Sequence, residues 1–489
     1  MKSLIRTLVF AATAALMLPA LASAADYPLP ANPGKPSPRP GGSATLKVCK
    51  KGGKYKTIQD AVKAARSGDT IKICDGIYKE SATTTQSVLI EGTSKNKIAL
   101  VGNVKDPTKV VIDANGKLNG VMINGANDVT VQGITTHNYF DNGFFAVNVD
   151  GYVMDHLRAY GGKKTGSNSY GLYAFNSKGG TMTNDEAYYN TDAGFYIGQT
   201  PVQVKPKPTI VKNISSWGNV LGWSGTNMRY VTITKSYFFN NGTGVVPNAL
   251  LSELYPPEES NVISDNDIYW NNFNYYRGSP FPKVTPSTGD VPYPVGVGLL
   301  LFGGRTQTVS KNRVFGNWGG GVGLIDQLTM KHSDAACKST SPTCYSGAQP
   351  VDPEPWKLKN NRIIGNIMGN GGKDLNGRDL AYDGSGSGNC FSENKLSGGV
   401  VENTPTFSAA AFPACPQGGQ AGPVNTFNQA AQDEMVGWAF ALLLAEAPGG
   451  TTAHPVSPSY GGMVQFPKAS DGAWTLWNAK VKAPKAPWK

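Results

Sequence analysis

The chain has 489 residues, a formal net charge of +11, 59 glycines, six cysteines and four scattered histidines. After the first 24 residues no run is long and apolar enough to span a bilayer, and no Cys/His spacing resembles a zinc site. Length alone suggests about three domains, a prior that the repeats described below overrule.

Residues 1–24 read as an export signal. Lys2 and Arg6 make a basic start, Leu8 to Leu21 are almost wholly apolar, and Ala22-Ser23-Ala24 is a small-residue cleavage site. The mature protein is therefore expected to be secreted or periplasmic, with no integral membrane segment after cleavage. Nucleic acid is excluded as a partner for such a chain. Removing the signal leaves a net +9, of which residues 467–489 hold +4. The remaining excess suits an acidic polysaccharide or an anionic envelope surface, and it also suits simple solubility. In an oxidising compartment the cysteines point to disulfides rather than metal ligands. The sequence leaves the pairing open, with neighbours favoured: Cys49–Cys74, Cys337–Cys344 and Cys390–Cys415.

Residues 25–44 form a Pro/Gly-rich linker. In the segment 55–80, Ile58, Val62 and Ala65 share one face, as an amphipathic helix requires. From about 45 to 400 the chain repeats itself. Gly120, Gly143, Gly171, Gly194, Gly222, Gly244, Gly298 and Gly321 each precede an alternating stretch, at gaps of 23, 28, 23, 28, 22, 54 and 23 residues. The second half of each repeat aligns without gaps on Val131, Met154, Met182, Val211, Ile233, Ile263, Val309 and Leu358. Eight residues further on, the last six repeats carry Asn190, Asn219, Asn241, Asn271, Asn317 and Asn366. Short strands of period two, joined by Gly/Asn/Asp turns and stacked turn upon turn, produce such columns. The spacing predicts an all-β solenoid whose inward residues form one continuous apolar core.

These columns, together with the entry "YKTIQDAVKAARSGDTIKICDGIYKE", resemble the right-handed parallel β-helix of the pectate-lyase-like superfamily over residues 45–400. The resemblance implies an N-terminal capping helix and a site in a groove along one strand face. It does not choose among lyases, hydrolases, esterases, epimerases and inert spikes. Beyond residue 400 the pattern stops. Residues 428–447 read as a helix, with Met435, Trp438, Phe440, Leu442 and Leu443 available to cap the far end, followed by a basic Pro/Lys-rich tail.

Long insertions border the strand face that follows each glycine, and long loops in a regular repeat are usually functional or disordered. The outward file on that face is Met122, Phe145, Tyr173, Tyr196, Ser224 and Val246. Asp141 and Asp192 each stand two residues before a glycine, two turns apart. Lys163 and Lys164 protrude between them, and Tyr173 and Tyr196 offer rings for sugar stacking. Proton abstraction beside a uronate carboxylate needs a base, a Lys or a Tyr, and a cation. Direct hydrolysis needs two carboxylates, about 6.5–9.5 Å apart for inversion. Asp192, Asp141, Lys163 and Lys164 are the catalytic candidates. Tyr173, Tyr196, Gln199 and Asn227 are the substrate-binding candidates, the last two within an amide column (Asn148, Asn176, Gln199, Asn227) that equally reads as a structural ladder. Turn propensity accounts for the two aspartates just as well. Asp326 is a further groove candidate. No motif fixes a cofactor; Ca²⁺ is the ion the two aspartates would take.

Two more features stand apart from the groove. His137, Tyr160, Tyr188, Trp217, Phe239, Tyr269 and Phe315 form an outward ring column on another face, either exposed as a sugar platform or covered by the Trp-rich tail. Asp155-His156 differs from the Asp-Pro-His signature of mannuronan epimerases by lacking the proline, and it maps to the far side of the turn. The expected function is a polysaccharide lyase, epimerase or glycoside hydrolase acting on an acidic polysaccharide. The alternative is a non-catalytic envelope-binding or structural protein. A metal-delivery role is disfavoured by the scarcity of ligands.

Overall fold

Each turn of the chain lays down three short strands, and each strand pairs in parallel with its counterpart one turn above and below. In one turn these are Asn142–Val147, Asp150–Asp155 and Arg158–Tyr160. Repetition gives three sheets of ten, twelve and ten parallel strands, called here the first, second and third sheets in the order the chain visits them. The computed structural model describes residues 35–38, 44–161, 169–250, 253–273, 293–326, 354, 356–372, 374–397, 403–417 and 420–435. No helix among these residues is long and apolar enough to cross a membrane.

Register follows the sequence columns. Val131, Met154, Met182, Val211, Ile233, Ile263 and Val309 pair in succession along the second sheet, each at most 1% exposed. The last row is different. Val309 pairs with Ile363, not Leu358, so the expected alignment slips by five residues there. The cause is a duplicated signal: "NNRIIGN" holds Asn361 and Asn366, which belong to two different corners.

Those corners explain the asparagines. Between the third and first sheets, Asn190, Asn219, Asn241, Asn271, Asn317 and Asn376 pass amide hydrogen bonds of 2.9–3.2 Å from turn to turn. Asn366 instead joins Asn266, Asn312 and Asn394 between the second and third sheets. Asn361 bonds Asn389 at the remaining corner. Buried corner backbone needs such partners because no water reaches it.

The glycine column has a steric origin. A Cβ on Gly244 would lie 2.3 Å from the Gly298 carbonyl oxygen and 2.8 Å from Ile268 Cγ2. Gly120, Gly143, Gly171, Gly222 and Gly298 meet the next turn's glycine carbonyl in the same way, at 2.5–2.7 Å. Gly244→Ala is therefore expected to lower stability by about 1–3 kcal/mol. An unchanged urea midpoint would mean that the corner relaxes freely.

The N-terminal helix Ile58–Ala64 covers the open end of the core with Ile58 and Val62. Thr57 caps it by accepting from Asp60 N, and the Glu80 carboxylate accepts from Ile58 N and Gln59 N. Disulfides join Cys49 to Cys74 and Cys390 to Cys415, with Cα atoms 5.1 and 4.7 Å apart. Cys337 and Cys344 lie outside the described residues, as do residues 1–24 and the tail. Residues 429–435 are helical. Residues 35–38, expected to be part of a loose linker, lie on the outer face of the second sheet, where Ser37 N donates to Asp155 Oδ2.

Candidate functional site

The outward file of the first sheet is in register as expected, running Leu89, Met122, Phe145, Tyr173, Tyr196, Ser224 and Val246. Its two halves differ. Leu89, Met122, Phe145 and Tyr173 are half-buried and form a platform with Phe175. Phe145 stacks on Tyr173 at 4.9 Å. Along the platform edge an amide chain runs from Asn176 to Asn148 (2.8 Å), to Asn124 (3.5 Å) and on to Glu91 (2.8 Å). From Tyr196 onward the file is buried.

Asp192 sits where the two halves meet. The register Asn142↔Tyr170 and Leu172↔Phe195 puts Asp141, Ser169 and Asp192 in one column. Asp141 and Asp192 are thus two rungs apart, about 10 Å. Asp192 is 1% exposed. Its Oδ2 accepts from the hydroxyls of Tyr170 (3.2 Å) and Tyr293 (3.4 Å), while its Oδ1 has no hydrogen-bond partner among the described residues. Burial pushes its carboxyl up to about 7; the tyrosine bonds oppose this and the nearby Glu253 adds to it.

Glu253 is the group the sequence reading missed. Its Oε2 accepts from Gln199 Nε2 (2.7 Å) and Tyr196 OH (3.5 Å), and burial raises its pKa as well. Each carboxyl therefore has one oxygen held by two donors. The other oxygen, Asp192 Oδ1 or Glu253 Oε1, has no protein partner among the described residues. Three rings lie between them. Tyr170 packs on Tyr173 at 4.7 Å and on Tyr196 at 5.3 Å, and Tyr173 meets Tyr196 at 4.5 Å. Burial drives all three phenols upward, so they remain protonated donors and not bases. Only the unusual length of the loop spanning 247–261 pointed toward Glu253, because loop residues follow no repeat.

The other candidates are placed as follows. Gln199 spends its amide on Glu253 and on Leu254 N. Asn227 is fully buried and tied to Leu250 and Leu254 by three hydrogen bonds, which anchor the loop carrying Glu253. Both act here on protein groups. Asp141 is half-buried on the column edge. Lys163 and Lys164 lie outside the described residues. Asp326 is four rungs along, its carboxyl pushed up to about 6 chiefly by burial, with Leu358 N donating to Oδ1. No group of three or more His, Cys, Asp or Glu able to hold a metal occurs among the described residues. Ca²⁺ does not fit at Asp192: hydroxyl donors already face its Oδ2, and Tyr170 and Tyr293 aim protons where a cation needs oxygen lone pairs.

The ring column on the third sheet stacks as aligned, with centroids 4.4–6.4 Å apart. It is not an open stripe. From Tyr188 to Phe315 the rings are at most 7% exposed. Tyr189 and Trp270, both at positive φ, fold their rings edge-on against it. Bulky residues rarely adopt that backbone region, and here ring packing stabilises it. Asp155 and His156 are buried together. Asp155 accepts from Ser37 N, Gln132 Nε2, Thr183 Oγ1 and Asn184 Nδ2 and bonds His156 Nδ1, a saturated structural carboxylate.

Three parallel sheets wound about one core define the class of protein, a right-handed parallel β-helix. The family described as "Right handed beta helix region" matches residues 84–249. Among solved structures, the A-module of the Azotobacter vinelandii mannuronan C-5 epimerase AlgE4 is 14% identical, with a TM-score of 0.43, covering 74% of this chain and 94% of that one. Pectate lyase Pel9A is 13% identical (TM-score 0.36; 76% and 83% covered), as is a rhamnogalacturonan lyase (TM-score 0.38; 80% and 98% covered). At these values the likeness carries no activity over to this chain. No curated protein sequence matches.

Proposed function

We propose that this protein acts on a polysaccharide lying along the first sheet, with Asp192 as general acid and Glu253 as the second carboxyl of the site. One observation carries this reading: a buried and a half-buried carboxyl, each held through one oxygen and with no protein partner among the described residues at the other, at the end of a half-exposed aromatic platform. A carboxyl that keeps its proton near neutral pH can protonate a leaving glycosidic oxygen. Phe145 and Tyr173 would stack pyranose rings, and the Asn124–Asn148–Asn176 edge would meet their hydroxyls. A pair of carboxyls favours hydrolysis over elimination, because the phenols nearby stay protonated and no described cation stands ready to neutralise a uronate. Asp141, two rungs away, is the alternative second carboxylate. Lys163 and Lys164 would supply the missing cation if the reaction is elimination or epimerisation on an acidic polymer.

The test is incubation with a panel of neutral and uronic polysaccharides, reading new reducing ends and unsaturated-sugar absorbance together. Reducing ends without absorbance indicate hydrolysis, and absorbance indicates elimination. Tyr173→Ala is expected to weaken glycan binding about ten-fold, the equivalent of about 1.4 kcal/mol. Absence of any product, with Asp192→Ala binding glycan like the parent, would leave only the envelope-binding alternative.

A further inference from the structure

The positive charge of the chain is not spread evenly. Residues 44–117, the N-terminal cap and first turns, hold 14 Lys and Arg against seven Asp and Glu, a net +7. Residues 118–466, which contain the Asp192 site, sum to −3. Apart from the +4 of residues 467–489, the basic excess therefore belongs to one pole of the solenoid and not to the turns that carry Asp192.

The pole is ordered around a short loop, "KVCKKGGKYK", residues 47–56. Lys47, Lys50, Lys51, Lys54 and Lys56 are all exposed, and so is Lys72 on the adjoining strand. The Cys49–Cys74 disulfide ties the loop to that strand, Cys49 N donates to Tyr55 O, and Tyr55 N donates to Lys47 O. Gly52 takes a φ of +71°, and a Cβ on Gly53 would sit 2.6 Å from Cys49 N, so the turn needs both glycines. Lys50 and Lys54 lie over the rings of Tyr78 and Tyr55, at 5.8 and 5.4 Å.

Three features argue against simple solubilisation. A solubilising surface mixes signs, whereas none of these six lysines is in an ion pair among the described residues; Lys178 and Lys207, on the body, share Asp150. Asp60 and Asp75, the exposed acids on the same segments, pair with none of the six. Lys47 and Lys72 are direct cross-strand partners on one face, a like-charge pairing that disfavours folding. Finally, the lysines are displayed on a cross-linked loop, which lowers the entropy lost on binding.

We propose that the lysine loop 47–56, with Lys72, is a docking surface for an anionic polysaccharide, separate from the groove. Several exposed cations on one cross-linked loop match a polymer with regularly repeated charges, and the gain comes from summed weak contacts and released counter-ions. A lipid surface fits less well. The exposed large apolar side chain of the described pole is Ile77, too little for insertion beside the charges.

The test uses the full mature chain and two probes, polygalacturonate and vesicles of anionic phospholipid, at low and physiological ionic strength. The parent is expected to bind polygalacturonate with strong salt dependence. Lys50→Gln/Lys51→Gln/Lys54→Gln/Lys56→Gln should bind at least about ten-fold more weakly with a flatter salt response, while a thermal melt reports intact folding. A Lys→Gln series in the tail at 468, 480, 482, 485 and 489 should change binding little, and the loop variant should keep the parent's activity in the polysaccharide panel, which separates this surface from the Asp192 site. Parent-like binding by the loop variant, loss of binding in the tail variant alone, or vesicles outcompeting the polysaccharide would each overturn the proposal.

Discussion

Asp192→Asn is expected to reduce turnover by about 10²–10⁴-fold, the usual worth of a positioned acid, while making the protein more heat-stable at neutral pH. The second half follows from linkage. In the folded chain the Asp192 carboxyl titrates at about 7, against 3.8 for an ordinary aspartate. Its folded pKa is raised, so its favourable contribution is complete below about pH 4 and fades as pH climbs to about 7. Above that pH the native state must hold a buried carboxylate whose free oxygen has no partner. Asparagine mimics the protonated acid and does not titrate. The variant's advantage should therefore grow between pH 5 and pH 8, to at most about 4 kcal/mol, less whatever its own unpaired amide costs. The parent's rate should fall as pH rises through about 7, as the acid form disappears. Melting temperatures at pH 5 and pH 8, measured beside a pH–rate profile on the substrate found in the panel, check both parts. An Asp192→Asn protein that keeps parent activity, or whose stability relative to the parent ignores pH, removes Asp192 from the role assigned to it.

Asn271→Leu should be among the most damaging single changes in the solenoid. The Asn271 side chain accepts from Asn241 N (3.2 Å) and Asn241 Nδ2 (3.0 Å), and it donates to Asn317 Oδ1 (3.0 Å) and to Phe238 O (3.1 Å). All of this is buried. Leucine keeps the volume but leaves the Asn241 N–H without its acceptor, and takes one hydrogen bond from the Phe238 carbonyl and one of two from each neighbouring amide. Asn241 Nδ2 still donates to Ser216 O, and Asn317 Oδ1 still accepts from the backbone N of residue 271. A buried group left unpaired costs about 1–3 kcal/mol. Because these costs are not additive within a ladder, about 3–5 kcal/mol overall is the expected loss. Asn148→Leu, on the exposed edge of the first sheet, removes no buried hydrogen bond and should cost only about 1–2 kcal/mol, chiefly from placing leucine at a φ of +57°. Equal shifts in the denaturation midpoints of the two variants would show that the buried corner holds water, and the ladder argument would fail.

The Asp192 site and the ladders were not equally legible. Glycine and asparagine columns appear in the sequence because every turn repeats the same close approach and the same orphaned corner groups, so each turn needs the same residue. Where one corner's signal resembles another's, as Asn361 and Asn366 show, counting asparagines misplaces the turn by five residues. Asp192, Tyr173 and Tyr196 were legible because they lie on the repeat, two of them in the outward file and one just before a glycine. Tyr170, also on a strand, was passed over because it stands outside that file. Gln199 and Asn227 were recognised as a column, yet their partners, Glu253 and the backbone of residues 250–254, come from a loop with no period to betray it. The ring column was also legible, but not its burial, since Tyr189 and Trp270 cover it from a backbone conformation that side-chain propensity disfavours.

By itself the sequence determined the winding, the inner file from Val131 to Val309 and the glycine corners, because contacts between identical neighbours write themselves as periodicity. Only the tertiary structure decided which second carboxyl lies near Asp192, which oxygens are left without a protein partner among the described residues, and that burial raises the pKa of both carboxyls. Those properties depend on non-repeating loops closing over a strand face and removing it from water, and neither the closure nor the loss of solvent is encoded at any fixed spacing.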